Sequence, residues 1–570
     1  MERCFIEYTR WREAGLPEDL AEELARIEDD EDEIYDRFCK DIAFGTSGLR
    51  GRMGAGTNRI NSVMLRKATM GIARYLTDRY EAPGIVIGFD TRINSKEYAA
   101  SVAEVFAEMG VDAYIFSEAT PVPVVSFAVR HLGLNGGVMI TASHNTREYN
   151  GYKVYDHFGN QIDDNKARLA EEYIKKEDPF GTGELGGENR ACAGRVHLLD
   201  GSVRGAYLNA IKENILWWDE PQSCLKALSG LKVCYTPLNG SGLGYVTEVL
   251  DHLGVGTVQV VPTQKEPDGS FPTCPSPNPE NEAAFTEAVR LCDEQDNQYD
   301  VILATDPDSD RMGVAVFDGE GYCKLSGNQV GELMLDYILR CHSKGICGRE
   351  LREEMTAFKS FVSSPLTEKI GEEYGVKVKN VFTGFKNIAL EMERLNREGR
   401  AGDFLFGFEE SLGYLYGDYT RDKDGIMACQ MLCLMAAEQK TAAKTLLDRL
   451  EEIYGQYGYI ESITTAILFH QEKDRRRMEL MVKSLFDGRL KSCPDLGKAI
   501  KKEFCYRKQN MYCADLEGGH RVIIRPSGTE LKLKIYIFAG GKTRDEAIDS
   551  AARLCSLVRQ VLEEKDKRDE

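Results

Sequence analysis

The chain contains no apolar stretch approaching the roughly 20 residues that a bilayer crossing needs, so no membrane partner is expected. Its first segment, MERCFIEYTRWREAG, has no apolar core and no small-residue cleavage site, and reads as no secretory leader. The 16 cysteines include no C-x-x-C pair and no tight cluster with histidine. That scatter argues against a disulfide framework and against cysteine metal sites, and points to reduced, mostly buried thiols in a cytoplasmic enzyme. Positive charge is also short: 72 Lys and Arg face 92 Asp and Glu, a net charge of −20. Nucleic acid would demand the opposite sign. An anionic substrate would meet the same repulsion unless local Arg and Lys reverse the field inside a cleft.

What the chain does have is alternation. At 570 residues it exceeds the span of about 250–300 over which one hydrophobic core can grow, so several domains are expected. Short apolar runs alternate with longer amphipathic segments, the pattern of α/β architecture. GIVIGFD reads as a strand, followed by the helix KEYAASVAEVFAEM, with Ser95 as the expected cap and Gly110 as the stop. VDAYIF, LKVCYTP, YDVILATD, DFLFGFEES and RVIIRPSGTE repeat this design of strand then polar loop, without an alignable internal repeat. Breaks are expected near Gly181–Gly194, in DGEGY after Phe317, and in EIYGQYGY before Ile460, giving four units. The acidic run Glu28–Glu33 reads as a solvated helix face.

Ligands of open α/β sheets bind at the carboxyl ends of strands, and four strands end in unusual loops. The first is ITASHNTREYNGYKVY, Ile140–Tyr155. Its Ser143 is not a hydrolase elbow, because Thr141 and Asn145 stand where the glycines belong. Nor is the adjacent His144 placed as a triad base, whose partners meet in space and not as chain neighbours. The second is TDPDSDRMG, where Asp306, Asp308 and Asp310 alternate. Three crowded carboxylates disfavour one another's ionisation and call for a cation. An EF-hand fails because Arg311 and Phe317 occupy its Gly and Glu positions. An all-oxygen set suits Mg²⁺, and Arg311 adds a bidentate phosphate donor.

The third loop is FLFGFEESLGY, whose Glu409 and Ser411, two apart, would project to one side of an extended chain and grip two sugar hydroxyls. The fourth is IIRPSGTELKLKIY. Arg525, Ser527, Gly528 and Thr529 combine a guanidinium, two hydroxyls and open backbone, a recipe for holding phosphate. The alternation Leu531, Leu533, Ile535, Ile537 reads as the half-buried strand behind it. Two nucleotide-loop lookalikes fail: Tyr245 replaces the third glycine in GSGLGY, and Tyr536 the first glycine before AGGKT.

In this order, and with FGTSGLRG (Phe44–Gly51) and PDGSFPTCPSPNPE (Pro267–Glu280), the loops resemble those of the α-D-phosphohexomutase superfamily across nearly the whole chain. The resemblance implies three related α/β domains and a smaller C-terminal α+β domain around a central cleft, expected at 1–200, 201–320, 321–455 and 456–570. It implies an intramolecular phosphotransferase acting on small sugar phosphates, as a monomer or homodimer. In that scheme Ser143 is the resting phosphoserine and donor, and binds Mg²⁺ together with Asp306, Asp308 and Asp310. Glucose 1,6-bisphosphate is the implied intermediate and activator. Arg311 offsets charge on the moving phosphoryl group, and Lys153 is favoured over His144 as general base. Thr46, Arg50, Thr383, Gly384, Lys386 and Lys423 join Glu409, Ser411, Arg525, Ser527, Gly528 and Thr529 as substrate contacts.

One departure is TPLNGSG, where the family often has His-Gly; Asn239 there reads as turn chemistry. GFEESLGY is similar to the glucose-phosphate members and lacks the SGH ending of the phosphomannomutase type. TGFKNI is similar to the branch holding the phosphopentomutases, in which alanine is associated with the position of Ser411. Glucose 1-phosphate and glucose 6-phosphate are therefore the expected pair, with pentose or mannose phosphates as alternatives. VILATDPDSD also partly resembles the aspartate-nucleophile phosphatases, but those need Thr or Val at Asp310. A silent sugar-phosphate sensor is disfavoured by the intact Ser143 and aspartate triplet.

Overall fold

The computed structural model describes residues 2–45, 48–181, 194–295, 299–345, 350–469, 474–527 and 532–564. Four sheets follow one another along the chain. The first runs, edge to edge, Leu49–Arg52, Tyr149–Asp156, Gly136–Ile140, Gly84–Phe89, Asp112–Phe116 and Val196–Leu199. Gly84–Phe89 lies parallel to both neighbours and is buried along its length, which is why it reads as an unbroken apolar run. The second sheet orders Tyr322–Lys324, Met312–Phe317, Val301–Thr305, Lys232–Thr236 and Thr257–Val260. The third orders Lys377–Val381, Thr356–Ser360, Phe404–Glu409 and Gly413–Tyr416. The fourth is wholly antiparallel: Tyr459–Leu468, Lys532–Gly541, Arg521–Pro526, Met511–Leu516 and Ile500–Tyr506. Three α/β domains and a C-terminal α+β domain are thus present.

Helices sit where strand chemistry leaves apolar faces to cover. Gly425–Thr441, capped by Asp424 accepting from Ile426 N and Met427 N, is buried on nearly every side. One continuous core joins it to Val86 and Tyr207, to Val301 and Val314, and to Leu405 and Tyr454, so the first three domains pack as one body. The fourth sheet keeps its own core, with Leu533, Ile535 and Ile537 on the face covered by Arg544–Glu563. Its opposite face meets the third domain through Tyr536, Ile523, Val362, Phe361 and Phe382. Gly458, at φ 93, makes the turn between Leu446–Tyr457 and the fourth sheet.

Some expectations need correction. Ser95 is the first residue of helix Ser95–Glu108, and Asn94 takes the cap position; the Ser95 hydroxyl instead donates to Asp90. The hairpin to Tyr322–Lys324 carries the second sheet past the expected break at residue 320. The Gly181–Gly194 break lies mostly outside the described residues. The acidic run does feed a helix, Glu31–Phe38, capped by Asp30, with Ile34 and Phe38 inward. Among the described residues every cysteine is a free thiol, and no helix is long and apolar enough to cross a membrane.

Candidate active site

Ser143 stands on the turn that follows Gly136–Ile140, buried and in the left-handed region at φ 53. A non-glycine residue held there is uncommon, and its neighbours explain why it persists. Thr141 Oγ1 accepts from Ser143 N at 2.8 Å and stands 2.6 Å from Asp90 Oδ2. The fully buried Arg92 donates to four carbonyls of the turn, those of Ser143, Asn145, Thr146 and Tyr149. The serine hydroxyl itself lies 2.9 Å from Asp306 Oδ2 and 3.1 Å from His144 Nδ1.

The aspartate loop leaves Val301–Thr305 and turns through Ser309 at φ 53. Asp306, Asp308 and Asp310 each offer one oxygen, all within 4.8 Å of one another. Asp306 Oδ1 accepts from Arg311 N, and Asp308 Oδ2 accepts from Lys153 Nζ at 2.9 Å. Asp310 Oδ2 accepts from Lys423 Nζ at 2.6 Å and Lys153 Nζ at 3.2 Å. Asp308 Oδ1 and Asp310 Oδ1 are buried without a hydrogen-bond partner. Two orphaned carboxylate oxygens beside a third carboxylate and Ser143 fit a hard divalent cation, because leaving them unpaired in the interior is costly. These residues can hold Mg²⁺.

Burial and then the charges of Asp308 and Asp310 push Asp306 well above the usual carboxylate range. At Asp310 burial acts the same way, but Lys423, Lys153 and Arg311 outweigh it and hold the group below its ordinary value. Burial followed by the Arg311 and Arg50 charges drives His144 well below 6.5, so its imidazole is neutral. For Lys153, burial is outweighed by Asp308 and Asp310, and its pKa rises. The sequence reading needed a lowered lysine; the aspartates that sequence could not place against it reverse the sign.

Several of the remaining predicted residues have defined partners. Arg50 donates to Asn145 Oδ1 at 3.2 Å. Arg311 reaches Glu280 Oε1 at 3.0 Å through Nη1, while its Nε is buried without a hydrogen-bond partner. Gly384 N donates to Glu409 Oε1 at 2.7 Å, which seats the half-buried Thr383–Gly384 turn against the end of Phe404–Glu409. Burial, then Glu410, pushes Glu409 up to about 7. The extended-chain premise for Glu409 and Ser411 does not hold, because Phe404–Glu409 ends and Glu410–Leu412 form the hairpin turn. Lys386 Nζ lies 2.7 Å from Asp164 Oδ1 of the first domain. Arg525 keeps a buried Nε without a hydrogen-bond partner, and Ser527 N bonds Lys532 O. Thr46, Gly528 and Thr529 lie outside the described residues.

Sequence reasoning missed Asp90, Arg92, Glu280 and Glu410. The first two sit in GFDTR, a fifth polar loop at a strand's carboxyl end, and could have been found by the rule that found the others. Glu410 accepts from Ser360 Oγ and Ser363 Oγ, contacts between distant segments that no spacing reveals. Asn239 does serve a turn, at φ 58 beside Leu238 at φ 49. That turn packs on the aspartate loop: a Cβ on Gly240 would lie 2.5 Å from Pro307 Cα, and one on Gly242 2.7 Å from Ser309 Oγ.

Comparison with known proteins adds three domain matches. Residues 41–180, 205–319 and 326–457 match the phosphoglucomutase/phosphomannomutase alpha/beta/alpha domains I, II and III. A phosphoglucomutase of Staphylococcus aureus (strain N315) is 34% identical over 521 residues, 88% of this chain and 90% of its own length. One of Staphylococcus epidermidis is 34% identical over 518 residues, 87% and 90% of the two chains. In fold, the chain is similar to a phosphoglucomutase/phosphomannomutase family protein of Burkholderia thailandensis (17% identity, TM-score 0.68, 91% and 96% covered). The open form of Paramecium pp63/parafusin gives a TM-score of 0.67 at 16% identity, with 91% and 94% covered.

Proposed function

As a member of the phosphoglucomutase/phosphomannomutase family the chain is a mutase, an isomerase of carbohydrate metabolism, and we propose that it interconverts glucose 1-phosphate and glucose 6-phosphate. The observation that carries the reading is Ser143 Oγ, 2.9 Å from Asp306 Oδ2, at the edge of a buried aspartate triplet with two orphaned oxygens. The glucose assignment is supported by the names of the relatives that are 34% identical over most of their length.

In this reading Ser143 carries a phosphoryl group between turnovers. The bond from phosphorus to Ser143 Oγ breaks as one forms to the substrate's free hydroxyl, and the hydroxyl proton passes to a base. The product is glucose 1,6-bisphosphate, which turns over in the cleft and returns its other phosphoryl group to Ser143. Mg²⁺ held by Asp306, Asp308, Asp310 and Ser143 would supply positive charge against the transferring group, where electrostatics and positioning dominate. Arg311 adds a fork of donors beside it. His144, with Nδ1 3.1 Å from Ser143 Oγ, is the group placed to accept the proton, whereas Lys153 meets Asp308 and Asp310, the aspartates that would hold Mg²⁺. Glu409 and Ser411 hold the sugar ring, and Arg525, Ser527, Gly528 and Thr529 hold the phosphate that is not reacting.

Intact-protein mass spectrometry tests the donor: the wild type should carry one phosphoryl group, mapping to Ser143, and Ser143→Ala should carry none and turn over no substrate. A coupled assay with glucose, mannose and ribose 1-phosphates tests the sugar. Preference for mannose or ribose would replace the glucose assignment, and net release of inorganic phosphate would make the protein a phosphatase.

A further inference from the structure

We infer that Pro267–Glu280 is a positioning brace, setting the Ser143 loop against Arg311 through Phe271 at one end and Glu280 at the other. The inference rests on the reading of Ser143 as phosphoryl donor. The segment as a whole is assigned no role above, although its residues touch both sides of the reacting centre.

At the first end the segment runs onto the loop that holds Ser143. Gly269 pairs with Arg92 in a parallel bridge, so close that a Cβ there would lie 2.3 Å from Ile93 N. Phe271, fully buried and at φ 46, presents its ring to the Arg92 guanidinium at 5.0 Å. The same guanidinium donates to Ser143 O, Asn145 O, Thr146 O and Tyr149 O. A buried cation that is hydrogen-bonded at its edge still needs a partner for its face, and an aromatic ring supplies one. Phe271 therefore fixes the plane from which Arg92 reaches the serine turn.

At the other end Glu280 grips Arg311. Its Oε1 accepts from Arg311 Nη1 at 3.0 Å, its N donates to Asn278 Oδ1 at 3.0 Å, and its carbonyl accepts from Lys324. The guanidinium is thus held by an outer nitrogen while its buried Nε lies 4.0 Å from Asp306 Oδ2 and 3.9 Å from Asp310 Oδ1. Between the ends, Cys274 packs with Ile302 and Ala304 of the strand that leads into the aspartate loop. One stretch of chain so sets two guanidiniums from different domains. Its residues act through Arg92 and Arg311, which makes them positioning residues.

The test uses the full chain, with Glu280→Gln and Phe271→Leu, singly and together. Glu280 has a 39% exposed side chain, so Glu280→Gln should melt as the wild type does. Its turnover should fall about tenfold with KM for glucose 1-phosphate within twofold, because transition-state charge is mispositioned while sugar contacts are intact. The rate at which glucose 1,6-bisphosphate rephosphorylates Ser143, read by mass spectrometry, should fall by the same factor. Phe271→Leu should also slow rephosphorylation, and the double variant should lose less than the product of the two single losses. Wild-type rephosphorylation in Glu280→Gln would overturn the brace, as would a fall in kcat/KM lying wholly in KM. Independent, multiplicative losses would overturn it as well. If wild-type protein takes no phosphoryl group on Ser143 from the bisphosphate, the donor reading itself fails, whatever the variants do.

Discussion

Lys423 Nζ lies 2.6 Å from Asp310 Oδ2, across 113 residues of chain and the packing of the third domain on the second. The contact is part of a wider seam: Gly425 N donates to Ser309 O, and a Cβ on Gly425 would lie 2.7 Å from Arg311 O. The loop after the hairpin Phe404–Tyr416 is therefore built onto the aspartate loop, and the third domain meets the second at the carboxylate that Lys423 pairs.

Lys423 and Lys153 compete with any cation for Asp310 Oδ2. Lys423→Met should tighten Mg²⁺, seen as a lower half-activating concentration, while turnover falls because the seam loses its ion pair. Asp308→Asn should do the opposite to affinity, weakening Mg²⁺ by about tenfold or more. EDTA should silence the wild type, and added Mg²⁺ should restore it. Titration of activity against metal for the three proteins checks this, and full activity in excess EDTA would remove metal from the reading.

The assignment of His144 as proton acceptor predicts unequal losses. His144→Ala should lower kcat by about 10²–10⁴-fold, the usual worth of a general base. Lys153→Arg keeps a charge opposite Asp308 and Asp310 and should lose less. Because burial, Arg311 and Arg50 hold His144 well below 6.5, the wild-type rate should show no loss between pH 8 and pH 6 from protonation of this residue. A dead Lys153→Arg beside an active His144→Ala would reverse the two roles.

Arg525→Ala should raise KM for the sugar phosphate strongly, since each charge-assisted bond to phosphate is worth about 1.5–3 kcal/mol. Turnover should fall as well, because a loosely held sugar misses in-line geometry. The variant should still carry phosphoserine and bind Mg²⁺, and Arg525→Lys should recover only part of the loss. Unchanged KM together with missing phosphoserine would move this loop to the other phosphate.

Glu332 gives a stability prediction away from the chemistry. It is buried, accepts from Tyr454 Oη at 3.2 Å, and burial pushes its pKa up from 4.5 to about 7. The folded state then binds more protons than the unfolded state between those values. Stability from this group is present below pH 4.5 and is lost as pH rises through about 7. Glu332→Gln should stabilise the protein by about 1–3 kcal/mol at pH 8 and have little effect at pH 5, measured by urea unfolding at both. Equal effects at the two pH values would show that the side chain titrates normally.

The α/β architecture and the four loops were legible because each loop concentrates its chemistry within a few residues. Asp306, Asp308 and Asp310 announce a cation by crowding alone. What could not be read was the partner of each charge. Lys386 meets Asp164, 222 residues away, and Lys153 meets Asp308 and Asp310 of another domain. The shared face expected of Glu409 and Ser411 fails for a local reason, since two-residue spacing fixes a face only while the chain stays extended. Arg92 was overlooked although its loop obeys the same strand-end rule, because a buried arginine that serves backbone carbonyls leaves no distinctive pattern.

The turn Leu238–Gly242 marks where drift in this sequence is blocked. Gly240 and Gly242 have no room for a methyl group against Pro307 and Ser309, whereas the left-handed Asn239 before them is buried and donates its side-chain amide to Glu266 O at 2.8 Å. In a saturation library selected for activity, both glycines should reject alanine, and position 239 should reject aspartate, which has no amide to donate to Glu266 O. The Asn239 side chain thereby ties the turn to the Glu266 backbone, next to two positions that the aspartate loop restricts to glycine.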